Sequence, residues 1–298
     1  MTLAPRAVLV HRRTQWQELL DRHGTRGQAA FFLSSRGRDA EDVESRHEAT
    51  QRAIATVTSA IPPDWRRGMI ERADLPRFLF EPGDIVVAIG QDGLVANLAK
   101  YLSAQPVIGV NPLPAVNPGI LVPHAPDAIA ALLGKAVRGQ ATDTEELTMA
   151  EVRTDDGQSL HGLNEIYVGH PSHQTARYSL RLPDGAAEHQ ASSGVIISTG
   201  TGATGWARSA WLERHSTLVM PAPAEQRLAW FVREAWPSPL TRVSLTEGSL
   251  VTGAVMTIVV ESDRLVAFGD GVEGDAVNLT WGQTVAVGVA SQTLRLLR

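Results

Sequence analysis

Apolar and polar positions change their spacing once along this chain, near residue 125. In the first third, short continuous apolar runs alternate with stretches whose apolar positions recur every three or four residues. Ala7–Val10 reads as a strand, and Thr14–His23 as a helix that ends near Gly24. Ala29–Leu33 reads as a second strand. From Asp39, the positions Val43, His47, Thr50, Ile54, Val57 and Ile61 trace one face of an amphipathic helix, stopped by Pro62-Pro63. The run GDIVVAIG (83–90) has no polar alternation, as expected of a strand buried on both faces of a parallel sheet. A helix over Leu94–Leu102 and a strand over Pro106–Val110 follow, which completes a βαβ unit.

Near residue 125 the texture changes. Asp127–Gly139 reads as one helix, capped by Asp127 and closed by Gly139. Beyond it, short alternating runs are separated by turn residues: LTMAEVRT, LNEIYVG, YSLRL and SGVIIS, then AVMTIVVES, RLVAF, DAVNLTW, TVAVGVA and TLRLL. The pattern predicts a Rossmann-like α/β domain over 1–125 and a β-rich, sandwich-like domain over 126–291. The last strand, 292–298, would return to the first domain.

Composition narrows the class. The 298 residues hold 27 basic and 32 acidic side chains, a net charge of −5, which is not the footprint of a nucleic-acid binder. No apolar run nears the roughly 18 residues that span a bilayer. Residues 1–13 have too short an apolar part for a secretory signal. With no cysteine, disulfides, thiolate nucleophiles and iron–sulfur ligation are excluded. The expectation is a cytoplasmic protein without nucleic-acid or membrane partners.

Four motifs carry candidate chemistry. Gly90-Gln91-Asp92-Gly93 joins the buried strand to a helix, the place where open α/β sheets bind ligands. The free N–H groups and dipole of the helix start suit a phosphate, and Asp92 can orient a hydroxyl or ligate Mg²⁺. The same residues also serve as an N-cap in a glycine turn. Leu163-Asn164-Glu165-Ile166 puts an amide and a carboxylate at the head of an apolar run, a pair able to grip vicinal ribose hydroxyls; a polar turn entering a strand reads the same way.

VIISTGTGATGWARSAW (195–211) contains Gly200-x-Gly202-x-x-Gly205, formally a dinucleotide fingerprint. A Rossmann unit would need a second strand ending in an acidic residue about twenty positions on. Glu225 has that spacing but follows Pro221-Ala-Pro223, and what remains of the chain reads as β. The loop has no P-loop lysine either. It remains a loop of hydroxyls and backbone N–H groups suited to a ribose, phosphate or amide, or a glycine-rich turn between core elements. Phe268-Gly269-Asp270-Gly271 fits a hairpin turn. His161, His170 and His173 lack a carboxylate at ligand spacing, so no metal site is expected.

In their order and spacing, 90–93, 164–165, 199–205 and 270–271 resemble the NAD kinases of the NAD kinase/diacylglycerol kinase superfamily, from about Val8 to the C-terminus. Ser45-Arg46-His47, VIGVNP (107–112), SSGVIISTGTG (192–202) with Trp206, and Val232-Arg233-Glu234 look closest to the mitochondrial-type branch. The resemblance implies transfer of the ATP γ-phosphoryl group to the adenosine-ribose 2′-hydroxyl of NAD, with Mg²⁺, giving NADP. It implies Asp92 as the catalytic carboxylate and Gly90, Gln91 and Gly93 along the phosphates. Asn164, Glu165, Ser193, Thr199, Thr201, Gly202, Thr204, Trp206 and Asp270 would line the NAD pocket, and the protein would be a homodimer or larger homo-oligomer.

Three positions depart from the pattern. Gln91 stands where the family has a second glycine, Leu94 where a threonine is usual, and Ser193 where many bacterial members have aspartate. A kinase of the same superfamily acting on a sugar, lipid or nucleoside, and a catalytically weak NAD(P)-binding regulatory relative, are the competing readings.

Overall fold

The computed structural model describes residues 4–139 and 143–298. The chain divides into two compact units: residues 1–101, 105–145 and 295–298 form the first, and 102–104 with 146–294 the second.

In the first unit, β1 (Arg6–His11) leads into three helices, α1 (Gln15–His23), α2 (Arg26–Ser34) and α3 (Ala40–Ala60). Then come β2 (Arg66–Glu71), β3 (Asp84–Ile89), α4 (Asp92–Ala99), β4 (Pro106–Val110) and α5 (Ile129–Arg138). The sheet is parallel in the order β2-β1-β3-β4, and Arg295 and Leu296 of the chain's last strand pair in parallel with Pro106 and Val107. Strand residues alternate between faces, so Ala7, Leu9, Ile85, Val87, Ile89, Ile108 and Val110 share one side. There they pack with Ala53, Val57 and Ile61 of α3 and Ile129, Leu132 and Leu133 of α5.

Two local expectations are corrected, and one strand had no expectation. Ala29–Leu33 is not a strand but the middle of α2. Thr25 caps this helix by accepting the Gln28 N–H, and Ala29 and Leu33, one helical turn apart, enter a small separate core with Trp16, Leu19 and Val43. Asp127 does not cap α5: Pro126 starts a 3-10 turn over 126–128, and Ala128 occupies the cap position. The edge strand β2, RRGMIE, was missed because only Ile70 in it is buried.

The second unit is a sandwich. One sheet runs β9 (Ala187–Ser192), β8 (Ala176–Arg181), β13 (Met256–Val260), β16 (Thr284–Leu297), with β5 (Thr144–Thr154) and β6 (Ser159–Gly162) beyond. The runs TVAVGVA and TLRLL are therefore one strand. The other sheet is antiparallel throughout, in the order β12 (Glu247–Val251), β11 (Arg227–Val232), β10 (Val195–Ser198), β7 (Glu165–Gly169), β14 (Arg264–Gly269), β15 (Val272–Thr280).

The inward faces meet in one core that includes Tyr178, Ile258 and Val285 from the first sheet and Ile166, Ile197, Trp230 and Leu265 from the second. Alternate residues of the second sheet, Tyr167, Ile196, Ala229 and Phe231, face outward and are covered by α6 (Trp206–Glu213) through Ala207 and Ala210. Trp230, 1% exposed, is the largest fully buried side chain among the described residues. Trp230→Ala should lower unfolding free energy by about 3–5 kcal/mol in urea titration; a loss below about 1 kcal/mol would contradict its place at the centre of the sandwich core.

Candidate functional site

In the first unit, all of β3 is buried, so the chain reaches the surface only at Gly90, whose N–H donates to Val110 O at 3.0 Å. Helix α4 begins at Asp92, after a Gln91 cap that makes no side-chain bond. The Asp92 carboxylate does not cap its own helix. It reaches the loop after β4, where Oδ2 accepts the Ile120 N–H (3.0 Å) and Oδ1 accepts those of Leu121 (2.8 Å) and Val122 (3.2 Å).

Local chemistry brings that loop into place. Gly109 on β4 lets Leu121 O pass 1.9 Å from where a Cβ would stand. Asn111 donates to Asn117 O and accepts from the Leu113 N–H, both at 2.9 Å, which folds the segment back. Arg298 donates to Ile120 O at 2.8 Å. With three acceptor positions used, Asp92 keeps one lone pair on Oδ2 for an incoming donor.

The neighbouring glycines differ. A Cβ at Gly93 would have no described atom within 4 Å, and its φ is not positive, so nothing in the fold demands glycine there. A Cβ at Gly90 would press on the Leu94 side chain at 3.1 Å. Leu94 itself is buried and Gln91 exposed.

In the second unit, the turn 163–165 is held entirely through its backbone. Asp270, buried in the β14–β15 hairpin, accepts the N–H groups of Leu163 (2.9 Å), Asn164 (2.6 Å) and Glu165 (3.4 Å). Its own N–H donates to Glu165 O at 3.0 Å. Asp270 and Gly271 both have positive φ, as a two-residue hairpin loop of this kind requires. The carbonyls of the turn go elsewhere. Thr199 donates its hydroxyl to Leu163 O (2.5 Å) and its N–H to Asn164 O (2.9 Å), and it accepts from the N–H groups of Thr201 and Gly202.

Gly202 lies so close that a Cβ would stand 2.1 Å from Asn164 O, and at Gly200 it would stand 2.0 Å from Ala222 O. The glycines of this loop therefore answer to the chain's own packing. Among the described residues, the side chains of Asn164 and Glu165 make no hydrogen bond, so both are free for a ligand. Burial, with the Asp270 charge beside it, pushes the Glu165 carboxyl up to about 7.

The other expected residues surround this turn or lie beyond it. The Thr201 hydroxyl is buried with no partner among the described residues, and Thr204 is exposed. Ser193 accepts the Tyr167 hydroxyl on its carbonyl at 2.7 Å. Trp206 stacks on Tyr167 at 5.4 Å, Tyr167 packs on Phe268 at 5.0 Å, and the Arg233 guanidinium lies over the Trp206 ring. Trp206 also lines a cavity of about 550 Å³ with Arg214, Arg233, Glu234, Thr246 and Glu247.

Sequence reasoning missed the 119–122 loop, the Tyr167 stack and this cavity. The signals present were Gly109 and Asn111-Pro112, which mark a tight return after β4. No cluster of three or more His, Asp or Glu able to hold a metal occurs among the described residues. No described helix is long and apolar enough to cross a membrane.

No family model matches the chain. It is 28% identical over 142 residues to the NAD kinase of Chlorobaculum tepidum, an alignment that covers 47% of each chain. It is 27% identical over 219 residues to the NAD kinase of Caldicellulosiruptor saccharolyticus, covering 72% of this chain and 76% of that one. The chain thus spans about half the length of the first relative and three quarters of the second. Among solved structures, an NAD kinase from Archaeoglobus fulgidus in complex with ATP superposes with a TM-score of 0.58 at 17% identity, covering 98% of this chain and 93% of that one.

Two outcomes are expected. Glu165 keeps its proton in the folded state between about 4.5 and about 7 but loses it when unfolded, so it contributes stability below pH 4.5 that is lost as pH rises through 7. The gap corresponds to about 3 kcal/mol, so Glu165→Gln should raise Tm at pH 8 but not at pH 4.5. Equal Tm differences at both values would refute the burial of this carboxyl. Gly93→Ala should leave stability unchanged or raise it by about 0.5–1 kcal/mol, whereas Gly109→Ala should lower it by about 1–3 kcal/mol; chemical denaturation decides, and the reverse order would contradict the loop packing described.

Proposed function

We propose that this chain is an NAD kinase that transfers the γ-phosphoryl group of ATP to the adenosine-ribose 2′-hydroxyl of NAD, a reading supported by its similarity to NAD kinases in sequence and fold. The observation that carries the reading is the 163–165 turn. Its backbone is fully occupied by Asp270 and Thr199, while Asn164 and Glu165 are left as an unpaired donor–acceptor set. Such a set suits vicinal hydroxyls of a ribose better than an apolar acceptor.

Asp92 has the matching role for the nucleophile. Phosphoryl transfer through a loose transition state depends on positioning and charge neutralisation more than on a strong base. The Asp92 carboxylate is fixed by three N–H groups, and its remaining lone pair is available to accept the 2′-hydroxyl proton's hydrogen bond and aim the oxygen at the γ-phosphorus. Gly93, open to solvent and free of internal demands, leaves room for a phosphate to approach the first turn of α4.

Mg²⁺ would neutralise the charge on the nucleotide phosphates. The described residues build no cage of their own, and the one acceptor position left on Asp92 is taken by the hydroxyl, so the ion would be held mostly by those phosphates.

Incubation with Mg²⁺, ATP and NAD, read through an NADP-specific dehydrogenase, tests the reading. NADP should form with the wild type and fall by at least about a hundredfold with Asp92→Asn, while calorimetric binding of NAD persists. NAD binding without any NADP would favour the regulatory relative, whose motivation is Gln91 in place of the family's second glycine and Leu94, which is buried and offers no hydroxyl where the family usually has threonine. A sugar, lipid or nucleoside phosphorylated in preference to NAD would move the acceptor assignment.

A further inference from the structure

Asp270 touches the backbone of the ribose-binding turn on both sides of Glu165. Its carboxylate accepts the Glu165 N–H and its N–H donates to the Glu165 carbonyl. The carboxylate is spent on three N–H groups of the turn, so Asp270 has no direct route to a substrate hydroxyl comparable to that of Asn164 or Glu165. Resting on the NAD-binding reading above, we propose that dinucleotide binding is proton-linked through the half-buried, unpaired Glu165, with Asp270 as a positioning residue behind it: when a ribose hydroxyl docks on Glu165, the Glu165 carboxyl loses its proton to solvent.

The groups around Glu165 leave Asp270 as the charge that acts on it. From β10, the paired residue is Ser198, and Thr199 beyond it is committed to the Leu163 and Asn164 carbonyls. From β6, His161 has Glu151 as its own partner at 3.3 Å, and burial pulls its ring below the usual histidine range. On β7 itself, Tyr167 donates to Ser193 O. The β14–β15 turn supplies Asp270, whose negative charge adds to burial in favouring the neutral form of Glu165.

A neutral carboxyl gives one acceptor fewer and a competing donor. The charged form is the better acceptor for two hydroxyls. Binding of a diol therefore favours ionisation, and the proton goes to buffer. The fixed backbone of the turn makes this coupling efficient, since the turn cannot swing Glu165 away from Asp270 without breaking the bonds that shape it.

The test is titration calorimetry of the full chain with NAD at pH 7 in two buffers of different ionisation enthalpy. The wild type should release a substantial fraction of one proton per NAD bound, and its Kd should weaken roughly tenfold from pH 8 to pH 6. Glu165→Gln should bind NAD with the same heat in both buffers. Asp270→Asn should move the pH dependence of Kd to lower pH with its midpoint still above the ordinary carboxylate range, whereas loss of the turn would expose Glu165 and return the midpoint to that range. Should Asp270→Asn not fold, the wild type and Glu165→Gln still decide. Buffer-independent heat, or proton uptake, in the wild type would overturn the proton linkage while leaving NAD binding intact. Absence of any heat with NAD would overturn the NAD-binding reading and the linkage with it.

Discussion

A backbone N–H that leaves a sheet or helix must find an acceptor, and three such groups in succession need a concentrated one. Both units meet this need in the same way. In the first, the Asp92 carboxylate collects the N–H groups of Ile120, Leu121 and Val122. In the second, Asp270 collects those of Leu163, Asn164 and Glu165. Each carboxylate is a full negative charge facing a small nest of partial positive charge, a pairing stronger than a neutral hydrogen bond. Asp92 provides one of these carboxylates, and Asn164 and Glu165 sit on the turn that the other shapes.

The two aspartates differ in what they leave over. Asp92 is half-buried and retains a lone pair beside an open glycine. It holds a loop and keeps one acceptor position open. Asp270 is 9% exposed and sits back to back with Glu165. It shapes a turn whose Asn164 and Glu165 side chains make no hydrogen bond among the described residues. Asp270, Thr199, Gly200 and Gly202 make internal contacts, and Asn164 and Glu165 keep their side chains unpaired among the described residues.

Much of the fold was legible along the chain because buried strands and amphipathic helices write their period directly into it. The run GDIVVAIG, the three-and-four spacing from Val43 to Ile61 and the short alternating strands beyond residue 143 have a single economical packing each. Where that logic failed, the segment was short or polar. Ala29–Leu33 has as many apolar residues as a strand needs, and only the Thr25 cap and the small core with Trp16 make it a helix. β2 has a single buried side chain, so as an edge strand it leaves almost no apolar trace.

By itself, the sequence determined which residue types stand at element ends: an aspartate after β3, an Asn-Glu pair before β7, a Thr/Gly loop after β10 and an Asp-Gly turn after β14. These are local choices, set by turn chemistry and by the period on either side. Tertiary structure alone decided how those residues are used. That Asp92 serves residues 28 to 30 positions away, that Asp270 serves a turn more than a hundred positions earlier, and that Thr199 binds inward are long-range facts. The reason is physical: a hydrogen bond between distant segments is set by where sheet order brings the backbones together, and no period along the chain encodes that distance.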